Sequence, residues 1–189
     1  MCIRDSSTSI RSEDHHSSVE QIYDSTVMVN TLSSAGSAFV ISKKDGKMYL
    51  LTAKHVIKDN KSVVLVYGNK ATKAEVFSKS LKRDLAILVT DNVKTLPTVS
   101  LMRREPSFST DSYAIGYPYG TYKAISSTTK GSYQPSEGNA VYSAPVFSGM
   151  SGGPVVSCNK TLCGVTGVIT HKVLLNEPPN TPNLSLIHI

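Results

Sequence analysis

A chain of 189 residues, 40% hydrophobic and 18% charged, is long enough for one sizeable domain or for two small barrels sharing an interface. No window approaches the run of about 18 apolar residues that a membrane helix requires, so a membrane-spanning helical protein is not expected. The net charge of +6 invites an acidic partner, but the basic residues are scattered, with Lys79, Lys82, Arg83 and Arg103, Arg104 the densest groups and no interleaved aromatics for base stacking; neither nucleic acid nor membrane is expected as a partner.

In chain order, residues 1–24 read as a disordered or non-native flank. MCIRDS, like SLIHI at the far end, resembles translated adapter sequence, and SSTSIRSEDHHSS shows neither a basic start with an apolar core nor a small-residue cleavage site. His15 and His16 lack partners at ligand spacing and read as solvated tail, and no metal or other cofactor is expected. From Ser25 short β-branched and aromatic runs recur: TVMVNT (26–31), SAFVIS (37–42), MYLLTA (48–53), VVLVY (63–67), KAEVFS (73–78) and LAILVT (85–90). KKDGK (43–47) places Asp-Gly between two of them, a hairpin signal because that turn needs positive φ. Residues 25–90 are therefore predicted to form an N-terminal β-barrel, and residues 91–107, weakly periodic and carrying two prolines, a connector. DSYAIGY (111–117), YKAISSTTK (122–130), NAVYSA (139–144), GPVVS (153–157) and CGVTGVITHKV (163–173) form a second series, assigned to a C-terminal barrel over 108–175, with 176–189 a loop or non-native flank. No sustained 3.6-residue amphipathicity is seen in either half. The predicted fold is all-β, two packed antiparallel barrels of the six-stranded type.

Three stretches stand apart. In LLTAKHVI, His55 follows an apolar strand; alone, such a histidine is more often structural. In KRDLAILV, Asp84 precedes another strand, where aspartate is commonly a turn former. In FSGMSGGPVV, glycines surround Ser151, either as a flexible turn or because an attacking hydroxyl needs backbone N–H groups aimed at the developing oxyanion. Together they supply what a nucleophilic serine requires, a base to take its proton and an acid to orient that base. Their order, His55, Asp84, Ser151, is that of the chymotrypsin architecture.

With GSAFVI (36–41), LTAKHVI (51–57), DLAIL (84–88), AIGYPYG (114–120), GMSGGPVV (149–156) and CGVTGV (163–168) in register, the chain resembles the trypsin-like serine peptidases of the chymotrypsin fold, nearest the bacterial HtrA-like branch. The resemblance implies a serine endopeptidase acting on a protein or peptide substrate, with Ser151 as nucleophile, His55 as general base and then acid, Asp84 as orienting carboxylate, and the N–H groups of Gly149 and Ser151 as oxyanion hole. Were Asp84 misplaced, Asp91 and Asp59 would be the next candidates. The resemblance also puts Pro145 at the floor of the specificity pocket, and Thr166 with Gly167, Val168 and Ile169 along the substrate backbone as an added strand. No acid occurs from Asn139 to Ser157, so small or medium apolar residues are expected before the scissile bond.

Two departures matter. Animal members carry an aspartate before the serine that pairs with a freshly cleaved N-terminus; Met150 here cannot. The tail NEPPNTPNLSLIHI matches neither the last barrel strand nor the closing helix of the family, which leaves completion of the second barrel open. Cys158 and Cys163 bracket NKTL in an expected hairpin, either as a disulfide or as two reduced, half-buried thiols. By resemblance the protein is expected to be secreted or periplasmic. The rival functions are an inactive protease-like binding module and a viral or phage polyprotein-processing protease. The oligomeric state is not legible.

Overall fold

Apolar side chains at alternate positions give a strand one apolar face, and a sheet of such strands buries that face by curling on itself. The computed structural model describes residues 18–102, 110–130, 139–159, 162–173 and 184–188, and it shows two such closures. The first takes β1 (Thr26–Asn30), β2 (Ala35–Lys44), β3 (Lys47–Thr52), β4 (Ser62–Tyr67), β5 (Lys70–Lys79) and β6 (Ala86–Asp91) in the order β1-β2-β3-β6-β5-β4. Met48, Leu50 and Thr52 of β3 point inward, opposite Leu88 and Ala86 of β6. With Val27, Val29, Val40 and Leu65 the apolar ones form the barrel core. Each such leucine contributes roughly 2 kcal/mol by leaving water. The predicted Asp-Gly turn joins β2 to β3, with φ of 51° at Asp45 and 73° at Gly46, the left-handed pair that a tight hairpin needs.

The second barrel takes β7 (Asp111–Gly116), β8 (Ala124–Lys130), β9 (Asn139–Ser143), β10 (Pro154–Cys158), β11 (Cys163–Val173) and β12 (Leu184–His188), closed in the order β10-β11-β12-β9-β8-β7. β12 falls in the stretch expected to be loop or foreign flank. Instead it lies between β11 and β9, pairing Ile187 with both Ile169 and Ala140. Its physical reason is the ladder: the facing backbone groups of β9 and β11 need partners, and β12 supplies them.

A second correction concerns the N-terminal flank, expected to be disordered through residue 24. Residues 18–25 form a helix, α1, and Ile22 is 2% exposed. Val19, Ile22 and Tyr23 follow helical spacing and join Phe39 of β2, Ile115 of β7, Val156 of β10 and Val165 and Val168 of β11 in one cluster. This third cluster, distinct from the two barrel interiors, is the seam between the halves, and α1 packs against it. The described part of the connector also adheres: Val99 N–H donates to Val40 O at 3.0 Å, and Met102 N–H to Val165 O at 2.9 Å. Arg103 and Arg104 lie outside the described residues, as do His15 and His16.

Candidate active site

The pairing of β3 with β6 decides what meets His55. Thr52 lies opposite Ala86, so the chain leaving β3 and the chain entering β6 continue side by side. Lys54 N–H donates to Asp84 O at 3.2 Å, and the short helix α2 (Lys54–Ile57) turns His55 towards the same aspartate. One carboxylate then serves two donors. Oδ1 accepts the backbone N–H of His55 at 2.8 Å, and Oδ2 lies 2.6 Å from Nδ1 of the ring. An ionised carboxylate can only accept, so Nδ1 carries the proton and Nε2 is left as the basic nitrogen. The Asp84 side chain is 13% exposed and that of His55 41%, so the acid is shielded while the ring is partly exposed. Asp91, the reserve candidate, sits at the far end of β6 and is bound to Lys47 at 2.7 Å.

Ser151 belongs to the other barrel and is tied to the first through its backbone. Its carbonyl accepts the N–H of Ser37, on β2, at 2.8 Å. Gly152, at φ +87°, lies so close to Thr52 and Ala53 that a Cβ there would collide with Thr52 Oγ1 and Ser37 O. The residue after the serine is therefore pressed against the two residues that lead into α2. The serine hydroxyl is partly buried and its Oγ donates to Thr170 O at 3.4 Å.

The turn before Ser151 is bound from two sides. Gly149 has φ +93°, and a Cβ would strike Tyr117 O, so glycine is required on both counts. The 3-10 turn Pro118–Gly120 supplies Tyr119 N–H, which donates to Ser148 O at 2.5 Å; Gly149 O accepts the hydroxyl of Ser37 at 2.9 Å. With both carbonyls engaged, the N–H groups of Gly149 and Ser151 donate to none of the described residues. Met150, where animal relatives carry aspartate, is fully buried among Ala114, Tyr142, Val146 and Val155. It anchors the turn by apolar packing.

The specificity residues sit differently from expectation. Pro145 is exposed on the loop after β9. Thr166 is buried inside the second barrel, its Oγ1 3.0 Å from Ser157 Oγ, which in turn lies 2.7 Å from Ser112 Oγ. Gly167 and Val168 pair with Val155 and Pro154 of β10, and Val168 also with His188 of β12. Ile169 is bound on both edges, to Gly152 and Gly153 on one and to β12 on the other. The edge expected to receive substrate is thus occupied through Ile169. β11 passes the start of β10 after Val168 and the Gly152–Gly153 segment after Ile169, and Thr170 O is the carbonyl that faces Ser151. Cys158 and Cys163, a cross-strand pair of β10 and β11, are joined by a disulfide.

GSAFVI and AIGYPYG contain Ser37 and Tyr119, to which the sequence alone assigns no role. Both touch the turn before Ser151; the signal available was a polar serine amid the apolar run of β2 and a Pro-Tyr-Gly turn just after β7.

A family model for the trypsin-like peptidase domain matches residues 36–165. The serine protease Do-like HtrA of Lactococcus lactis subsp. cremoris is 31% identical over 156 residues, covering 71% of this chain and 37% of the relative. Its counterpart from L. lactis subsp. lactis is 30% identical with the same coverage, so the chain spans little over a third of the length of these relatives. Among solved structures, the serine endoprotease from Yersinia pestis superposes with a TM-score of 0.75 at 24% identity, over 92% of this chain and 61% of that one. A Mycobacterium tuberculosis protease in its active form gives 0.70 at 22% identity, over 90% and 78%. At these identities the structures speak to fold, and the two-barrel architecture is theirs.

Proposed function

Since the chain belongs to the trypsin-like peptidase domain family, we propose that it hydrolyses peptide bonds as a serine endopeptidase, with Ser151 as nucleophile, His55 as base and Asp84 as the acid that orients it. The observation that carries this reading is the doubly used Asp84 carboxylate, which takes the backbone and the ring of His55 together and leaves Nε2 as the proton acceptor. Ser151 Oγ adds to the scissile carbonyl while its proton passes to Nε2 of His55. Asp84 stabilises the imidazolium so formed. The carbonyl oxygen, now an anion, accepts the N–H groups of Gly149 and Ser151, which are oriented before substrate arrives and need no reorganisation. His55 then gives its proton to the leaving amine, and water repeats the sequence on the acyl-enzyme.

For the side chain before the scissile bond we keep small or medium apolar residues, on the ground that the segment from Asn139 to Ser157 holds no acid that would attract Lys or Arg. The substrate backbone is assigned to β11 from Thr170 onward, in place of Thr166 to Ile169, because that is where β11 has passed both β10 and the Gly152–Gly153 segment. The Cys158–Cys163 disulfide supports a working place outside the reducing cytosol, secreted or periplasmic. Among the described residues no helix is long and apolar enough to cross a membrane.

Incubating purified protein with a mixed peptide library and sequencing the products tests both parts. Cleavage after Ala, Val or similar residues, abolished in Ser151→Ala, is expected. Undiminished cleavage by Ser151→Ala would overturn the mechanism, and dominant cleavage after Lys, Arg or Glu the pocket assignment.

A further inference from the structure

We propose that Ser37 is a positioning residue for the oxyanion turn, its hydroxyl setting the direction in which the Gly149 N–H points across the seam between the barrels. The inference rests on the peptidase reading above and deepens it. Ser37 is fully buried on β2, in the first barrel, yet its hydroxyl and its backbone N–H are directed at the second. Its single hydroxyl proton goes to Gly149 O at 2.9 Å, and the same oxygen accepts Tyr117 N–H at 3.0 Å. Its backbone N–H donates to Ser151 O, and its carbonyl accepts Thr52 Oγ1 at 2.7 Å.

The hydroxyl therefore acts on the turn twice. It holds the carbonyl of Gly149 directly. It also holds Tyr117, from which the chain enters the turn whose Tyr119 N–H fixes Ser148 O, the other end of the peptide that carries the Gly149 N–H. A glycine has no Cβ to resist rotation of its flanking peptides, so a residue at φ +93° depends on such external bonds to stay in one orientation. The side chain of the next residue cannot provide them: Met150 packs in the apolar cluster, and only its backbone is bonded, its N–H to Phe147 O at 3.1 Å and its carbonyl to Gly153 N–H at 3.0 Å, both within the turn itself. The side-chain anchor comes from β2 instead, so the oxyanion geometry depends on the two barrels being closed on each other.

Ser37→Ala tests this, because alanine keeps the backbone bond to Ser151 and removes only the hydroxyl. Loss of one oriented oxyanion donor lowers kcat by about 10²- to 10³-fold in serine peptidases, so a fall of about 10²-fold is expected with KM within about threefold of wild type. A crystal structure of the variant should show Gly149 leaving the positive φ region. Thr90→Val, which removes a buried hydroxyl bonded to Lys73 O at the far end of the first barrel, controls for stability and should leave kcat unchanged. Should Ser37→Ala fail to fold, Ser37→Cys keeps a weak donor in similar volume and is judged by the same two readings, with a smaller fall in kcat. A variant with kcat near wild type and Gly149 unmoved overturns the proposal, as does a loss of activity that Thr90→Val reproduces. A wild type that cleaves nothing, with Gly149 displaced by the substitution, would sink the peptidase reading and leave the positioning role standing.

Discussion

Replacing Asp84 by asparagine separates two explanations of what the acid does. The carboxylate has two tasks, and asparagine can keep only one acceptor. The His55 backbone N–H demands an acceptor at the Oδ1 position, where Asp84 takes it at 2.8 Å. The carboxamide oxygen therefore stays there, and the NH2 group turns to Nδ1, 2.6 Å away in the native pair. A donor facing Nδ1 forces the ring proton to Nε2, the atom that has to accept the proton of Ser151. Loss of a charge-assisted hydrogen bond is worth about 1.5–3 kcal/mol, which alone would slow turnover by roughly 10- to 160-fold. The wrong tautomer raises the loss to about 10⁴-fold, or about 5.5 kcal/mol, the size found for the same change in chymotrypsin-type enzymes. Steady-state hydrolysis of an activated peptide ester by wild type and Asp84→Asn measures it, with thermal unfolding as a check that the fold persists. A loss under about tenfold would refute both the tautomer reasoning and the assignment of Asp84.

Three further outcomes are expected. Ile22→Ala should lower stability by about 3 kcal/mol in denaturant unfolding, since Ile22 fills the seam between the barrels; no change would mean that α1 is not docked in solution. Burial, and then the nearby Tyr23, raise the Tyr117 phenol to about 12. Above pH 10 the unfolded phenol loses its proton while the folded one keeps it, so folding stability is lost progressively from about pH 10 towards 12. Tyr117→Phe should lack that decline when the two proteins are compared by urea unfolding at pH 9 and 11, and an identical decline in both would contradict it. Substituting both Cys158 and Cys163 by Ala should cost about 2 kcal/mol, the loop entropy of a bridge spanning a separation of 5 residues; chemical denaturation that finds no loss would show that the bridge does not constrain the unfolded chain.

The strands were legible because short β-branched and aromatic runs recur between turn residues, MYLLTA and LAILVT among them, and the structure places Met48, Leu50 and Leu88 inside. The Asp-Gly turn was legible for a local reason too, its need for positive φ. α1 was not. A helix of about two turns displays its stripe only at Val19, Ile22 and Tyr23, too few positions to stand out among serines and glutamates. The placement of Thr166 to Ile169 failed differently. Sequence identifies a strand, but which edge stays open depends on where neighbours begin and end, and β10 and β12 cover β11 through Ile169. His55, Asp84 and Ser151 could be named only because their residue types and order suit one chemistry. The pairing of His55 with Asp84 follows from the Thr52–Ala86 register, and the seat of Ser151 against the first barrel from its bond to Ser37, contacts between distant stretches that no local pattern encodes.

Covalent capture tests the central claim most directly. The protein is treated with a peptidyl phosphonate bearing an apolar side chain, digested, and the modified residue located by tandem mass spectrometry. The account predicts one adduct, on Ser151, formed by wild type and suppressed in His55→Ala. An adduct on another residue, or labelling of Ser151 that is indifferent to the loss of His55, would contradict it.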